Sequence, residues 1–91
     1  MTALDDKMAE LRRRFIARSA DELETIEKAL AQGDRKLMAE RAHAITGIAA
    51  MFGFGEIGEA ALQLERAALG GEDLASTAAQ LAELLTELAQ T

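Results

Sequence analysis

The chain has no cysteine, no proline, no tryptophan and no tyrosine, and it has one histidine, His43. Without cysteine there are no disulfides and no thiol chemistry. One histidine among scattered carboxylates does not make a zinc site, so no metal is expected. No apolar run approaches the roughly 20 residues that span a bilayer, and no signal-peptide pattern is present. The expected compartment is therefore the cytoplasm. Basic charge is also scarce, with 10 Lys and Arg against 16 Asp and Glu and a net charge of −6. Nucleic acid is excluded as a partner on that ground, because phosphate neutralisation needs a basic face. The one basic cluster, Arg12, Arg13, Arg14 and Arg18, shares its helix with Asp5, Asp6 and Glu10. That mixture does not suit a membrane anchor or a transit peptide.

What is present is helix-forming. Ala, Leu, Glu, Arg and Lys dominate the 91 residues, and 49% of them are hydrophobic. A single all-α domain over residues 1–91 is expected. Leu4, Met8, Leu11 and Phe15 recur at helical spacing and predict a first helix over about residues 3–17. Ser19-Ala20-Asp21-Glu22 reads as a capping box that opens a second helix, which ends near Gly33. Asp34 is placed to cap a third, running to about Phe52, and Gly53-Phe54-Gly55 turns the chain. A fourth spans about Glu56 to Leu69, and a last one about Asp73 to Ala89 buries Leu74, Ala78, Leu81, Leu85 and Leu88. Short connections make successive helices antiparallel neighbours. The expected fold is an up-down-up-down four-helix bundle with an additional N-terminal capping helix.

His43 carries the functional signal. At about 100° per residue, Leu37, Met38, Ile45, Ile48, Ala49 and Phe52 form one face of the third helix. His43 lies nearly opposite, among Lys36, Ala39, Glu40, Thr46, Gly47 and Ala50. That position argues against a core histidine. The small residues around it argue against an ordinary solvated face, which would carry Lys, Glu and Gln. A glycine inside a helix costs about 1 kcal/mol relative to alanine, so Gly47 needs a reason. Clearing space beside the imidazole is one; letting two helices approach closely is another.

On the fourth helix, Glu65 falls in an arc with Ile57, Ala61, Leu62, Leu64, Ala68 and Leu69, while Glu56, Glu59, Gln63 and Arg66 share the other arc. A carboxylate on a packing arc needs a partner. His43 is eleven residues before Phe54 and Glu65 eleven after it, so a hairpin there sets both at one height. A carboxylate accepting from Nδ1–H would hold the tautomer whose Nε2 is a free nucleophile. A rim carboxylate that reaches solvent without touching His43 is the plainer alternative.

His43, Ala44, Ile45, Gly47 and Gly53, followed by the pair Leu64-Glu65, resemble the histidine-containing phosphotransfer (HPt) domain of two-component phosphorelays. The stretch Ala31-Gln32-Gly33-Asp34 through Leu37 to Ala42 is similar to the family's approach to its histidine, and the resemblance spans about residues 20–69. One departure is clear: Thr46 stands where the family usually has lysine. Lys36, two turns back, is a candidate substitute as phosphoryl neighbour; Arg66 is a poorer one.

The resemblance implies a phosphocarrier rather than an autonomous kinase, with His43 as phosphoacceptor and Glu65 orienting it. Lys36, Ala39, Glu40, Thr46, Gly47 and Ala50 would form the rim and docking surface. It implies receiver domains of response regulators and hybrid histidine kinases as partners, no intrinsic cofactor, and Mg²⁺ held in the receiver. A monomer is expected, unlike a sensor-kinase dimerisation domain, whose histidine is followed by an acidic residue and then a proline; this chain has Ala44 and no proline. The alternative from another class is a degenerate, non-phosphorylated helical module that binds receiver or kinase domains.

Overall fold

The computed structural model describes residues 2–91, which form four α-helices and, among the described residues, no strand. They are α1 (Ala3–Gln32), α2 (Arg35–Phe52), α3 (Gly55–Gly70) and α4 (Ala75–Ala89). Each of α1 and α3 packs on both α2 and α4, so the helices form a four-membered ring with no diagonal contact. No helix among the described residues is long and apolar enough to cross a membrane.

Four helices rather than five correct the expected N-terminal capping helix. Residues 3–32 are one continuous helix, opened by a capping box between Thr2 and Asp5 and closed by Gly33 in the left-handed conformation. Ser19 does not cap anything. It is fully buried, and its hydroxyl donates to the Ile16 carbonyl at 2.6 Å. Glu22 does not reach back either; it is buried and accepts hydrogen bonds from Arg41 of α2, with Arg18 at 3.6 Å. A capping pattern signals a helix start only if the chain leaves the helix there. With no glycine or proline nearby, and with a partner for each polar group inside the fold, the helix continues.

The helix-to-helix turns follow the sequence closely. Asp34 Oδ1 accepts from Leu37 N–H at 3.1 Å, which caps α2. Gly33, Gly53 and Gly71 each take positive φ at a helix C-terminus, the conformation that favours glycine. Arg35 spans from α2 to the end of α3, donating to the carbonyls of Ala67 (3.2 Å), Ala68 (3.4 Å) and Glu72. The guanidinium thus ties the start of α2 to the last turn of α3 and the loop after it.

The core is built on Phe15, Ile26, Met38, Ile45, Leu64, Leu81 and Leu85, with many buried alanines between them. The arc of α3 that packs is centred on Leu64 and takes in Ala60 and Ala67, so it is turned round the helix from the one the sequence suggested. Leu69, expected on it, is 73% exposed. It lies five residues beyond Leu64, about 140° round the helix.

Leu4, expected on the buried stripe of the first helix, is 70% exposed. The reason is length. Thirty residues make a helix of about 45 Å, matching the 46 Å longest extent of the molecule. Phe15 meets Phe54 of the α2–α3 turn at 5.5 Å between ring centroids, so Leu4, more than two turns before it, lies past the end of the bundle. Arg12 is stacked over the Phe54 ring at 4.6 Å. Glu10 accepts from Arg13 (2.8 Å) and Arg14 (3.3 Å). Those two arginines, Arg13 foremost, hold its carboxyl below the usual carboxylate range. What stability this adds is present above that range and lost as acid protonates Glu10.

Candidate functional site

The α2–α3 hairpin positions the site. After Gly53 the chain turns within two residues, and Phe54 N–H donates to the Ala49 carbonyl at 2.9 Å. So tight a turn leaves little freedom in register, and residues equidistant from it come level. Gly58 faces α2 across the hairpin: a Cβ there would lie 3.5 Å from the Ala49 Cβ and 4.0 Å from the Thr46 carbonyl oxygen, ordinary contact distances.

At that level His43 Nδ1 stands 2.8 Å from Glu65 Oε2. The imidazole side chain is 77% exposed and the carboxylate 18%. An ionised carboxylate only accepts hydrogen bonds, so the proton of this contact is on Nδ1. Nε2, on the far side of the ring, then carries the lone pair and faces outward. Glu65 sits about 100° from Leu64, at the margin of the packing arc. A carboxylate there is mostly covered yet able to reach a ring in solvent.

The other residues of the expected rim divide. Lys36, Glu40, Gly47 and Ala50 are exposed on the same side of α2 as His43. Ala39, expected on the rim, is buried instead, because it lies on the edge of α2 that turns toward the other helices. Thr46 is half-buried, and its hydroxyl donates to the Ala42 carbonyl at 2.9 Å. Nothing lies within 4 Å of a Cβ built on Gly47. Close helix approach is therefore not what that glycine serves. The glycine that faces the neighbouring helix is Gly58, seven residues before Glu65 on the same face of α3. Arg66 is exposed. Among the described residues, Lys36 makes no ion pair, and no group of three His, Cys, Asp or Glu could hold a metal ion.

A lone exposed imidazole, fixed through Nδ1 on a helical bundle, is chemistry for accepting a group on nitrogen. The family comparison agrees with that geometry: the model of the Hpt domain matches residues 10–91. The chain belongs to the Hpt domain family. Comparisons with curated proteins and with solved structures found no match. Membership assigns this Hpt domain a histidine phosphotransfer role in phosphorelays, and Hpt domains interact there with receiver domains. The match takes in all of α2, α3 and α4 and most of α1, and begins only after residue 9.

Proposed function

We propose that this Hpt domain relays a phosphoryl group between the aspartates of receiver domains, with His43 as the acceptor and Glu65 holding its imidazole. The observation that carries the reading is the 2.8 Å contact from Nδ1 to Glu65 on a ring that is mostly exposed. The Nε2 lone pair attacks the phosphorus of a receiver's aspartyl phosphate. The N–P bond forms, the bond from phosphorus to the aspartate oxygen breaks, and the carboxylate leaves with its electron pair. The phosphorylated ring keeps its Nδ1 proton and gains positive charge, which the Glu65 carboxylate offsets. Transfer to the next receiver reverses these steps.

Binding at the transition state belongs largely to the receiver, which brings Mg²⁺ and the groups that neutralise the moving phosphoryl. This chain supplies the nucleophile and a docking face of Lys36, Glu40, Thr46, Gly47 and Ala50. Lys36 is the nearest lysine on that face and the cation we assign to the phosphoryl group in place of the family lysine. Both His43 and Glu65 come from one chain, so one copy is a complete carrier. Its partners are receiver domains of response regulators and hybrid kinases in the cytoplasm.

The test is phosphotransfer from a panel of phosphorylated receiver domains to wild type and to His43→Ala. Acid-labile, alkali-stable label on wild type alone is the expected result. No label from any competent donor would overturn the relay. Thr46 favours one second reading, a module that binds receiver or kinase domains without chemistry. It requires His43→Ala to leave both partner affinity and signalling unchanged.

A further inference from the structure

The His43–Glu65 contact lies midway along the α2–α3 hairpin, far from the turn that joins its helices. His43 is ten residues before Gly53 and Glu65 ten after Gly55, about 15 Å along each helix. At that distance a splay of roughly 10° about the turn opens a gap of about 3 Å, enough to break a contact of 2.8 Å. Apolar packing has no direction and does not by itself prevent this. The buried faces are also rich in alanine, with Ala39, Ala42 and Ala49 on α2 and Ala60, Ala61 and Ala67 on α3. Methyl groups make shallow ridges that interlock little.

The open end of the hairpin carries a second fixing point. Arg35, the first residue of α2, is half-buried. Its Nη1 donates to the carbonyls of Ala67 at 3.2 Å and Ala68 at 3.4 Å, and its Nη2 to that of Glu72. Among the described residues, the other side-chain polar contact from α2 to α3 is that of His43 with Glu65. The last turn of α3 has no basic residue of its own, and a cation is favoured at a helix C-terminus. A planar guanidinium fork also fixes direction, which an ammonium on a flexible stem does not. Ala67 is two residues beyond Glu65, about 3 Å along α3, so what holds that turn holds Glu65.

We infer that Arg35 is a positioning residue for the transfer proposed above, acting through the last turn of α3 to keep Glu65 level with the His43 ring. The inference rests on that reading of His43. Arg35 acts from a distance, eight residues before His43 on α2, or about 12 Å. Its bonds close the hairpin at the end opposite the Gly53–Phe54 turn, so the contact is held from both sides. Without them the end of α3 swings, Glu65 meets the ring for less of the time, and Nδ1–H loses the acceptor that selects its tautomer.

The experiment reads the ring directly. Nitrogen NMR of the unphosphorylated whole chain, with its histidine isotope-labelled and neutral, reports which ring nitrogen carries the proton. Wild type is expected to hold it mainly on Nδ1. Arg35→Gln, which lacks the fork, is expected to shift it toward Nε2. The same variant is expected to slow single-turnover labelling of His43 by about 3–10-fold, less than loss of the carboxylate itself. In a Glu65→Ala background Arg35→Gln is expected to change the rate little, because its effect runs through Glu65. Arg35→Lys keeps the charge without the fork and is expected to give the same changes in smaller measure. All variants are compared at a temperature where circular dichroism shows them folded. An unchanged tautomer ratio in Arg35→Gln, or in Arg35→Lys where Arg35→Gln does not fold, overturns the inference. So does a slowing that persists in full without Glu65. A wild type that no receiver labels counts against the relay, while the spectra still decide whether Arg35 holds the histidine–carboxylate contact.

Discussion

In the proposed relay Glu65 and Gly47 serve His43 by different means, and the difference is measurable. Glu65 touches the ring at 2.8 Å, so Glu65→Ala frees the imidazole to rotate and change tautomer. Its single-turnover transfer rate is expected to fall by about 10–100-fold, as for other carboxylates that orient a working imidazole. Glu65→Gln keeps an oxygen that accepts from Nδ1–H but no charge, so its loss is smaller; equal losses would mean that charge, not orientation, is what Glu65 contributes. Gly47 touches nothing. A Cβ there meets open space, so Gly47→Ala is expected to raise stability by about 0.5–1 kcal/mol in thermal or urea unfolding. The same methyl stands one turn from His43 on the face a receiver must approach, and transfer is expected to slow. A variant both more stable and equally fast would show that the glycine clears no path.

At the scale of elements, the α2–α3 hairpin decides whether His43 and Glu65 meet. Position 58 faces α2, with room for one methyl and little more. Gly58→Ala places a methyl at 3.5 Å from Ala49, an ordinary contact, and is expected to be tolerated. Gly58→Leu has no room, and overpacking of this kind costs about 1–3 kcal/mol. Wedging the helices apart also lengthens the histidine–carboxylate contact. The expected outcome is a lower unfolding midpoint together with slower labelling of His43; lost stability at an unchanged rate would place the control of that contact elsewhere. Much of the hairpin was legible beforehand. The turn residues Gly53 and Phe54 and the equal spacing to His43 and Glu65 are local facts of the chain. Which glycine faces the neighbouring helix was not, because both Gly47 and Gly58 lie inside helices and only that helix tells them apart.

For the whole molecule, the ring of four helices and the overhanging arm are separable. The family match begins at residue 10, and residues 2–7 are exposed. A chain lacking residues 1–9 is expected to keep the bundle, with circular dichroism showing only the helicity of the arm lost and phosphotransfer unchanged. Failure of that shortened chain to fold would mean the arm supports the core after all. The Glu22–Arg41 pair, by contrast, joins α1 to α2 inside the ring.

By itself the sequence determined the helical class, the turns, the lone histidine and the level of its carboxylate partner. All of these rest on interactions within about four residues, on helical period, or on counting from a tight turn. Tertiary structure alone decided what the polar residues Ser19 and Glu22 do, because either could cap a helix or be satisfied inside one; Arg41, nineteen residues beyond Glu22, settles it. It also decided which arcs of α2 and α3 pack, burying Ala39 on the one and Ala60 and Ala67 on the other and leaving Leu69 in solvent. Burial depends on which helix stands opposite. No periodicity within one helix contains that information.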